Sequence, residues 1–329
     1  MSLRFHLALC AFLPAAGLSA HETGDASHDQ PAADHGKVGT AHQVTIETTA
    51  TRRIIRSNGW PDHVPGKFPN RGNPNRITEQ NYEFKMTLKP EIADRPTPSG
   101  HAYFGVALNG VPFEPGTAEV WNRDPSSGWH YQAMSGKMDL GLDHHHAHVQ
   151  PNGAYHYHGL PTGMLERLKA KNDGMTLVGW AADGFPIYAV NGYSDAKDPE
   201  SKVRELKSSY RLKKGMRPKE ENGPNGKYDG LFEEDFEFVE GLGDLDEFNG
   251  REGVTPEFPE GTYYYAITRD YPFIGRDWKG TPDPSFQKRG PGRGGRRGPP
   301  PGGRPPRGGE DRPHGPPPRR GDRRGPPPE

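Results

Sequence analysis

Six of the fifteen histidines in this 329-residue chain lie between His144 and His158, in the run HHHAHVQPNGAYHYH. The centre of the run, Pro151-Asn152-Gly153, has the chemistry of a three-residue hairpin loop. Proline suits the second position of a type I turn, and glycine suits the left-handed residue that follows it. The sequence therefore predicts a β-hairpin over residues 144–158, in which the numbers of facing residues sum to 304.

The register of this hairpin decides which side chains share a face. His148 would face His156. His146 would face His158. Because successive strand residues point to opposite faces, all four imidazoles would lie on one face, with facing Cβ atoms about 4.5–5.5 Å apart. A two-residue Asn-Gly loop would instead put His148 and His156 on opposite faces, so a metal hypothesis depends on the loop type.

Clustered imidazoles indicate a transition-metal site. Cys10 is the only cysteine and lies in a predicted signal peptide, so the mature chain would offer only nitrogen and oxygen ligands. Three imidazoles suit zinc, copper, iron or nickel, and zinc or copper is the natural cofactor of an exported protein. We predict His148, His156 and His158 as ligands. The fourth ligand is left open among His146, His63, Asp143 and Asp183.

Four other interpretations stay open, one of which is acid–base catalysis without metal by a pair of imidazoles that bind and protonate a phosphate or carboxylate. Tyrosine and histidine could alternate only because one face of the hairpin is core and the other is an exposed polar face. A metal-dependent hydrolase or copper oxidoreductase would need an open coordination position, which a sequence does not reveal. A glycan- or surface-polymer-binding module without metal could use an aromatic platform, although most of these rings are expected in the core: Trp60, Trp121, Trp129, Trp180, Trp278, Tyr263, Tyr264 and Tyr265.

The two ends of the chain differ in composition from its centre. Residues 1–20 have a basic start, an apolar stretch and small residues before position 21, which is typical of a cleavable signal peptide and too short for a membrane span. Residues 21–45 are predicted as a flexible linker that carries histidines. Residues 46–280 are predicted as one β-rich domain. We therefore expect a secreted or periplasmic protein with no transmembrane segment in the mature chain.

Residues 281–329 are predicted to be a disordered Gly/Pro/Arg-rich tail. From Lys288 onward the chain has eleven arginines and one lysine against four acidic residues, a net charge of +8 in a chain whose total is −1. Such a tail favours a polyanionic surface polymer as partner through nonspecific charge attraction. A sequence-specific nucleic-acid partner is not expected of an exported protein.

The centre of the chain alternates short apolar runs with turns rich in Pro, Gly, Asn and Asp. This pattern predicts a mainly β fold, a sandwich or distorted barrel of short antiparallel strands with one or two short helices and long loops. The clearest helix is Gly163–Lys171, with Thr162 as its N-cap. The predicted strands, besides the hairpin, are Val44–Ala50, Tyr82–Leu88, Ala102–Leu108, Thr176–Ala181, Pro186–Val190 and Thr262–Thr268.

Several blocks in order resemble the YHYH domain family, named for a tetrapeptide found here at residues 155–158. The longest are AHVQPNGAYHYHGLPTGML (147–165), LVGWAADGFPIYA (177–189), FGVALNGVPFEPGTAE (104–119) and LDEFNGREGVTPEFPEGTYYYAIT (245–268). The resemblance covers about residues 50–280 and neither flank. It implies an exported protein whose activity is not defined by the family. His148, His156 and His158 fall on the family motif, whereas His146 lies in a more variable part.

Overall fold

The computed structural model describes residues 41–219 and 223–288. Within these ranges the chain forms seventeen β-strands, one α-helix (α1, Thr162–Arg167) and short 3-10 turns. The mainly β fold class is therefore confirmed. The strands are β1 Val44–Thr48, β2 Arg52–Ser57, β3 Tyr82–Thr87, β4 Ile92–Pro98, β5 Gly105–Ala107, β6 Pro112–Phe113, β7 Ala147–Val149, β8 Tyr155–Tyr157, β9 Thr176–Ala181, β10 Pro186–Ala189, β11 Asn191–Tyr193, β12 Val203–Glu205, β13 Tyr210–Leu212, β14 Phe236–Phe238, β15 Gly250–Thr255, β16 Phe258–Ile267 and β17 Asp277–Gly280.

The central feature is an eight-stranded sheet with the order β15-β16-β10-β9-β5-β6-β8-β7. Its neighbours are antiparallel except for two parallel pairs, β10 with β16 and β6 with β8. A three-stranded antiparallel sheet, β1-β2-β3, forms separately, and β4 pairs with β17. In the part of the chain that the structure describes, the eight-stranded sheet does not close into a barrel.

Both sheets contribute side chains to one hydrophobic core. Ile55 and Phe84 of the three-stranded sheet join Val106 and Tyr157 of the eight-stranded sheet in this core. The side of β8 that carries Tyr155 and Tyr157, hereafter the tyrosine side, therefore faces the core. His156 of β8 must then point to its opposite face, which is how the fold positions the candidate site.

The end of the described chain also packs into the core. The ring of Phe286 lies 4.7 Å from the ring of Phe84, centroid to centroid. The backbone N–H of Tyr103 donates to the carbonyl of Phe286 at 3.0 Å. These contacts bring Lys288, two residues farther on, to the body of the domain.

Every segment predicted as a strand contains a strand in the structure, but the helix prediction was too long. The helix α1 ends at Arg167 and its N-cap is Pro161 rather than Thr162. Thr162 is not free to cap, because its hydroxyl lies 2.7 Å from His145 Nδ1 and 3.0 Å from the His144 carbonyl. Lys169 then has φ of 51°, a left-handed conformation that ends the helix.

The predicted signal peptide, the linker up to residue 40 and the tail from residue 289 lie outside the described residues. Over residues 41–219 and 223–288, no helix combines the length and apolar character needed to cross a bilayer.

Candidate metal centre

The hairpin has the predicted loop and register. Gly153 is left-handed, with φ of 85°, and its N–H donates to the Gln150 carbonyl at 2.8 Å. The Gln150 N–H donates in turn to the Ala154 carbonyl at 2.9 Å. The strands β7 and β8 then pair with His148 opposite His156. The three-residue loop is therefore confirmed, and the two-residue alternative is wrong.

A preceding segment holds the hairpin in place. The side-chain amides of Asn73 and Asn75 both donate to the Val149 carbonyl, at 2.9 and 2.8 Å. The Thr78 N–H donates to the Gly153 carbonyl at 3.0 Å. The carbonyls of Val149 and Gly153 therefore find their hydrogen-bond donors outside the hairpin. These donors and the hairpin loop together fix the register.

Three imidazoles converge as predicted. His148, His156 and His158, hereafter the histidine triad, each offer one ring nitrogen within 4.8 Å of the others. The Nε2 atoms of His156 and His158 are 3.0 Å apart, and those of His158 and His148 are 3.1 Å apart. Zn–N bonds of about 2.0–2.1 Å in a tetrahedral site place ligand nitrogens about 3.3 Å apart. The two distances that involve His158 are therefore close to those of a metal site.

Hydrogen bonds fix the tautomers of two of these rings. The Nδ1–H of His148 donates to the Leu140 carbonyl at 2.9 Å, and the Nδ1–H of His156 donates to the Ala154 carbonyl at 3.1 Å. Both rings therefore present an unprotonated Nε2 to the centre of the triad. This backbone support of the outer nitrogen is the usual arrangement for metal-binding histidines.

The third ring cannot satisfy both neighbours. A proton on His158 Nε2 could be donated to only one of the two lone pairs that face it. Its own Nδ1 is buried, and no hydrogen-bond partner lies near it among the described residues. A cation at the centre would satisfy all three Nε2 atoms at once, which a single proton would not.

Burial keeps the triad neutral. It lowers the pKa of His148, and it lowers the pKa of His156 and His158 further, with repulsion from neighbouring imidazoles as the next cause. His156 is 1% exposed and His158 is 2% exposed. The interpretation of this side as an exposed polar face is therefore wrong. Neutral imidazole is also the form that binds metal.

The tyrosines of β8 anchor the opposite side of the strand. The Tyr155 hydroxyl donates to Asp143 Oδ2 at 2.8 Å. The Asn109 side-chain N–H donates to the Tyr157 hydroxyl oxygen at 2.9 Å. Among the described residues, the only other partner of that hydroxyl is His63 Nε2, at 2.7 Å, so Tyr157 donates its proton to His63.

Two of the predicted candidates for the fourth ligand belong to this anchoring network. Asp143 also accepts the N–H groups of Gly66 and His145, both at 2.9 Å, so its carboxylate is already satisfied. His63 accepts from Tyr157 as above, and burial, aided by repulsion from His145, lowers its pKa to about 4. The structure places both residues on the tyrosine side, away from the triad.

His146 and Asp183 also lie apart from the triad, contrary to the predicted shared face for His146. His146 has φ of 57°, and its Nδ1–H donates to the Leu160 carbonyl at 2.8 Å. The strand β7 begins only at Ala147, so His146 does not follow the strand alternation. Asp183 lies between β9 and β10, where it accepts the Tyr265 hydroxyl at 2.6 Å. Burial raises the pKa of Asp183 to about 6.

A different carboxylate faces the triad. Glu114 Oε2 lies 3.6 Å from His156 Nε2. Phe113 pairs with Tyr157 in parallel register, and the Glu114 N–H donates to the Tyr157 carbonyl at 2.9 Å. Because Phe113 shares the tyrosine side, strand alternation puts Glu114 on the histidine side. In the sequence, the feature that could have indicated Glu114 as a site residue is its position directly after Pro112 and Phe113, the two apolar residues of β6.

Two polar side chains contact this carboxylate. The Gln150 side-chain N–H and the Lys288 ammonium both hydrogen-bond to Glu114. Burial raises the pKa of Glu114 to about 7, although the Lys288 charge opposes that shift. The triad therefore has a buried carboxylate and a lysine at its border, in addition to the three rings.

The family resemblance is confirmed by comparison with known proteins. The family described as "YHYH protein" matches residues 83–280, more than half of the 329 residues. The chain therefore belongs to the YHYH family. No curated protein and no solved structure matches the chain.

Proposed function

We propose that this YHYH protein binds one transition-metal ion, zinc or copper, through the Nε2 atoms of the histidine triad. The observation that carries this proposal is the convergence of three imidazoles, two of which bond a backbone carbonyl through Nδ1–H, with Nε2 atoms 3.0 and 3.1 Å apart. Nitrogen ligands without thiolates suit both ions, and the borderline softness of imidazole argues against a site for hard cations such as Mg²⁺ or Ca²⁺.

The proposed role is binding in an exported protein rather than catalysis. Burial of two triad rings and of Glu114 supports a closed site, since a catalytic metal keeps a position open to water or substrate. Export is supported by the signal-like pattern of residues 1–20. The net charge of +8 from Lys288 onward supports attachment to a polyanionic surface polymer.

The aromatic platform receives no support from the described residues. Six of its eight proposed members are buried: Trp129, Trp180, Trp278, Tyr263, Tyr264 and Tyr265. The Trp278 indole N–H donates to the Phe104 carbonyl at 2.8 Å, in the core. These rings stabilise the fold and offer no continuous surface to a sugar.

The test is the metal content of the full-length protein, produced without a His tag and exported by its own leader. We expect one equivalent of zinc or copper per chain in elemental analysis. A His156→Ala/His158→Ala variant should lose it, and visible absorption should distinguish Cu²⁺ from Zn²⁺. The matched control is His101→Ala, which removes an exposed histidine outside the triad.

Both variants keep the histidines of residues 21–45, so a difference between them reports on the hairpin alone. Circular dichroism of each variant shows whether it is folded. The proposal fails if the folded double variant retains the metal, or if the natural protein binds neither ion when it is titrated with each.

A further inference from the structure

Glu114 stands between the triad and a lysine at the end of the described chain. Its Oε2 is 3.6 Å from His156 Nε2, while Lys288 Nζ contacts its Oε1. Lys288 also lies over the ring of Tyr103, with Nζ 5.4 Å from the ring centroid. The Glu114 side chain is 10% exposed and that of Lys288 is 24% exposed, so the carboxylate is enclosed while the ammonium reaches solvent.

We propose that Glu114 is the fourth ligand of the metal, and that Lys288 is the cation that occupies its carboxylate until the metal displaces it. This inference rests on the proposed function, because it concerns the same site. It adds a ligand that none of the predicted candidates provides, and it couples metal binding to release of the Lys288 side chain.

The distances make Glu114 a fitting ligand. In a tetrahedral site a carboxylate oxygen lies about 3.3 Å from a neighbouring imidazole nitrogen. Glu114 Oε2 therefore needs to move by only a few tenths of an ångström relative to His156. Its backbone is held in register beside β8 by the hydrogen bond to Tyr157, which keeps the side chain on the histidine side of the strand.

Electrostatic interactions explain why a metal ion would displace Lys288 from Glu114. A buried carboxylate needs a positive partner, and Lys288 supplies one. A divalent ion among the triad would compensate the same carboxylate more strongly and would repel the nearby ammonium. The long, partly exposed lysine side chain has solvent within reach, so it leaves while the enclosed glutamate stays.

The ligand set also predicts which ions are preferred. Three imidazoles and one carboxylate form a borderline-to-hard set with one negative charge. Such a set favours divalent zinc and copper over monovalent copper, which prefers sulfur ligands. The inference therefore assigns this site to the divalent state.

The first experiment measures metal affinity of the full chain by competition with a chromophoric chelator, using Zn²⁺ as the probe. Glu114→Gln should bind Zn²⁺ about 100-fold more weakly, because a neutral amide is a poor ligand. Lys288→Gln should bind about tenfold more tightly, because no ammonium has to be displaced. Glu114→Asp keeps the charge but shortens the reach and should lie between wild type and Glu114→Gln.

The second experiment measures release of the lysine directly. Acylation of lysines followed by mass spectrometry should show that Zn²⁺ speeds the modification of Lys288 several-fold. Lys279 is the matched control, since its side chain is 27% exposed and its Nζ lies 3.3 Å from Asp246 Oδ2. Its acylation rate should not respond to Zn²⁺.

The outcomes separate this inference from the proposed function. If the natural chain fails to bind Zn²⁺, or if the His156→Ala/His158→Ala variant binds like it, both are wrong. If the triad is required but Glu114→Gln binds like wild type, Glu114 is not a ligand. If Lys288→Gln weakens binding or leaves it unchanged, or if Zn²⁺ does not alter Lys288 acylation, the displacement is overturned.

Discussion

Acidification should destabilise this domain through His63. The ring is 8% exposed and accepts the Tyr157 hydroxyl at 2.7 Å. Burial, with a smaller contribution from the His145 ring, lowers its pKa to about 4 from the ordinary value of 6.5. Between these two values the unfolded chain holds a proton that the folded chain lacks. The free energy of unfolding therefore falls as the pH is lowered through this range.

The size of the effect follows from the two pKa values. A difference of about 2.5 units corresponds to about 3 kcal/mol in the acidic limit. About 2.5 kcal/mol of this would be lost between pH 7.5 and pH 4.5. Above pH 6.5, the ordinary histidine pKa, the stabilisation from neutral His63 is complete. Below about pH 4, His63 is protonated in the folded and the unfolded chain, so no further loss of stability is expected.

The assay is denaturant unfolding of wild type and His63→Gln at the two pH values, with a chelator present to keep the triad metal-free. The glutamine amide oxygen can accept the Tyr157 hydroxyl but does not titrate. Its loss of stability on acidification should be smaller than that of wild type by about 2.5 kcal/mol. His101→Gln, at an exposed position, should behave like wild type. If His63→Gln loses as much stability as wild type, the buried neutral state of His63 is refuted.

Two further perturbations test the site and its loop. Zn²⁺ at 100 times its dissociation constant should raise the free energy of unfolding by about 2.7 kcal/mol, and calorimetry should show no such increase for His156→Ala/His158→Ala. Gly153→Ala should cost more than about 2 kcal/mol by denaturant unfolding, since φ is positive and the new Cβ would lie 1.9 Å from Thr78 Oγ1. Gly128 also has a positive φ, but a Cβ added there would have no atom within 4 Å. If Gly128→Ala loses as much stability as Gly153→Ala, the contact with Thr78 contributes nothing.

The hairpin was predictable because the information for it is local. Pro151, Asn152 and Gly153 specify the loop, and the loop specifies the register. Alternation then places His148 and His156 together without knowledge of any other strand. The same locality made the segments of β9, β10 and β16 recognisable as apolar runs between turns.

The fourth position around the triad was not predictable, because it depends on a pairing that is distant in sequence. Glu114 reaches the site only because β6 lies parallel to β8, and nothing in a short apolar pair specifies its neighbour. His146 was misplaced for a different reason. Asp143 accepts the N–H groups of His145 and Ala147, and this tight turn ends the strand one residue early.

The strand β2 was missed because it, too, depends on contacts that are distant in sequence. The strand β2 reads RRIIRS and is not among the predicted strands, yet it pairs on both sides, with β1 and β3. Arg53 stacks its guanidinium over the Trp180 ring at 3.3 Å, so its long side chain covers apolar surface. Tertiary contacts of this kind stabilise a strand whose charged residues hide the apolar pattern.

The position of the triad within the sheet has a kinetic consequence. His156 lies on β8, which is enclosed between β6 and β7, whereas His148 lies on β7 at the end of the strand order. His148 is only partly buried, so outward rotation of its ring would break its hydrogen bond to the Leu140 carbonyl and would leave the buried rings of His156 and His158 in place. Dissociation of a bound ion would begin at His148, and the half-time of exchange would depend on how often this outermost strand frays.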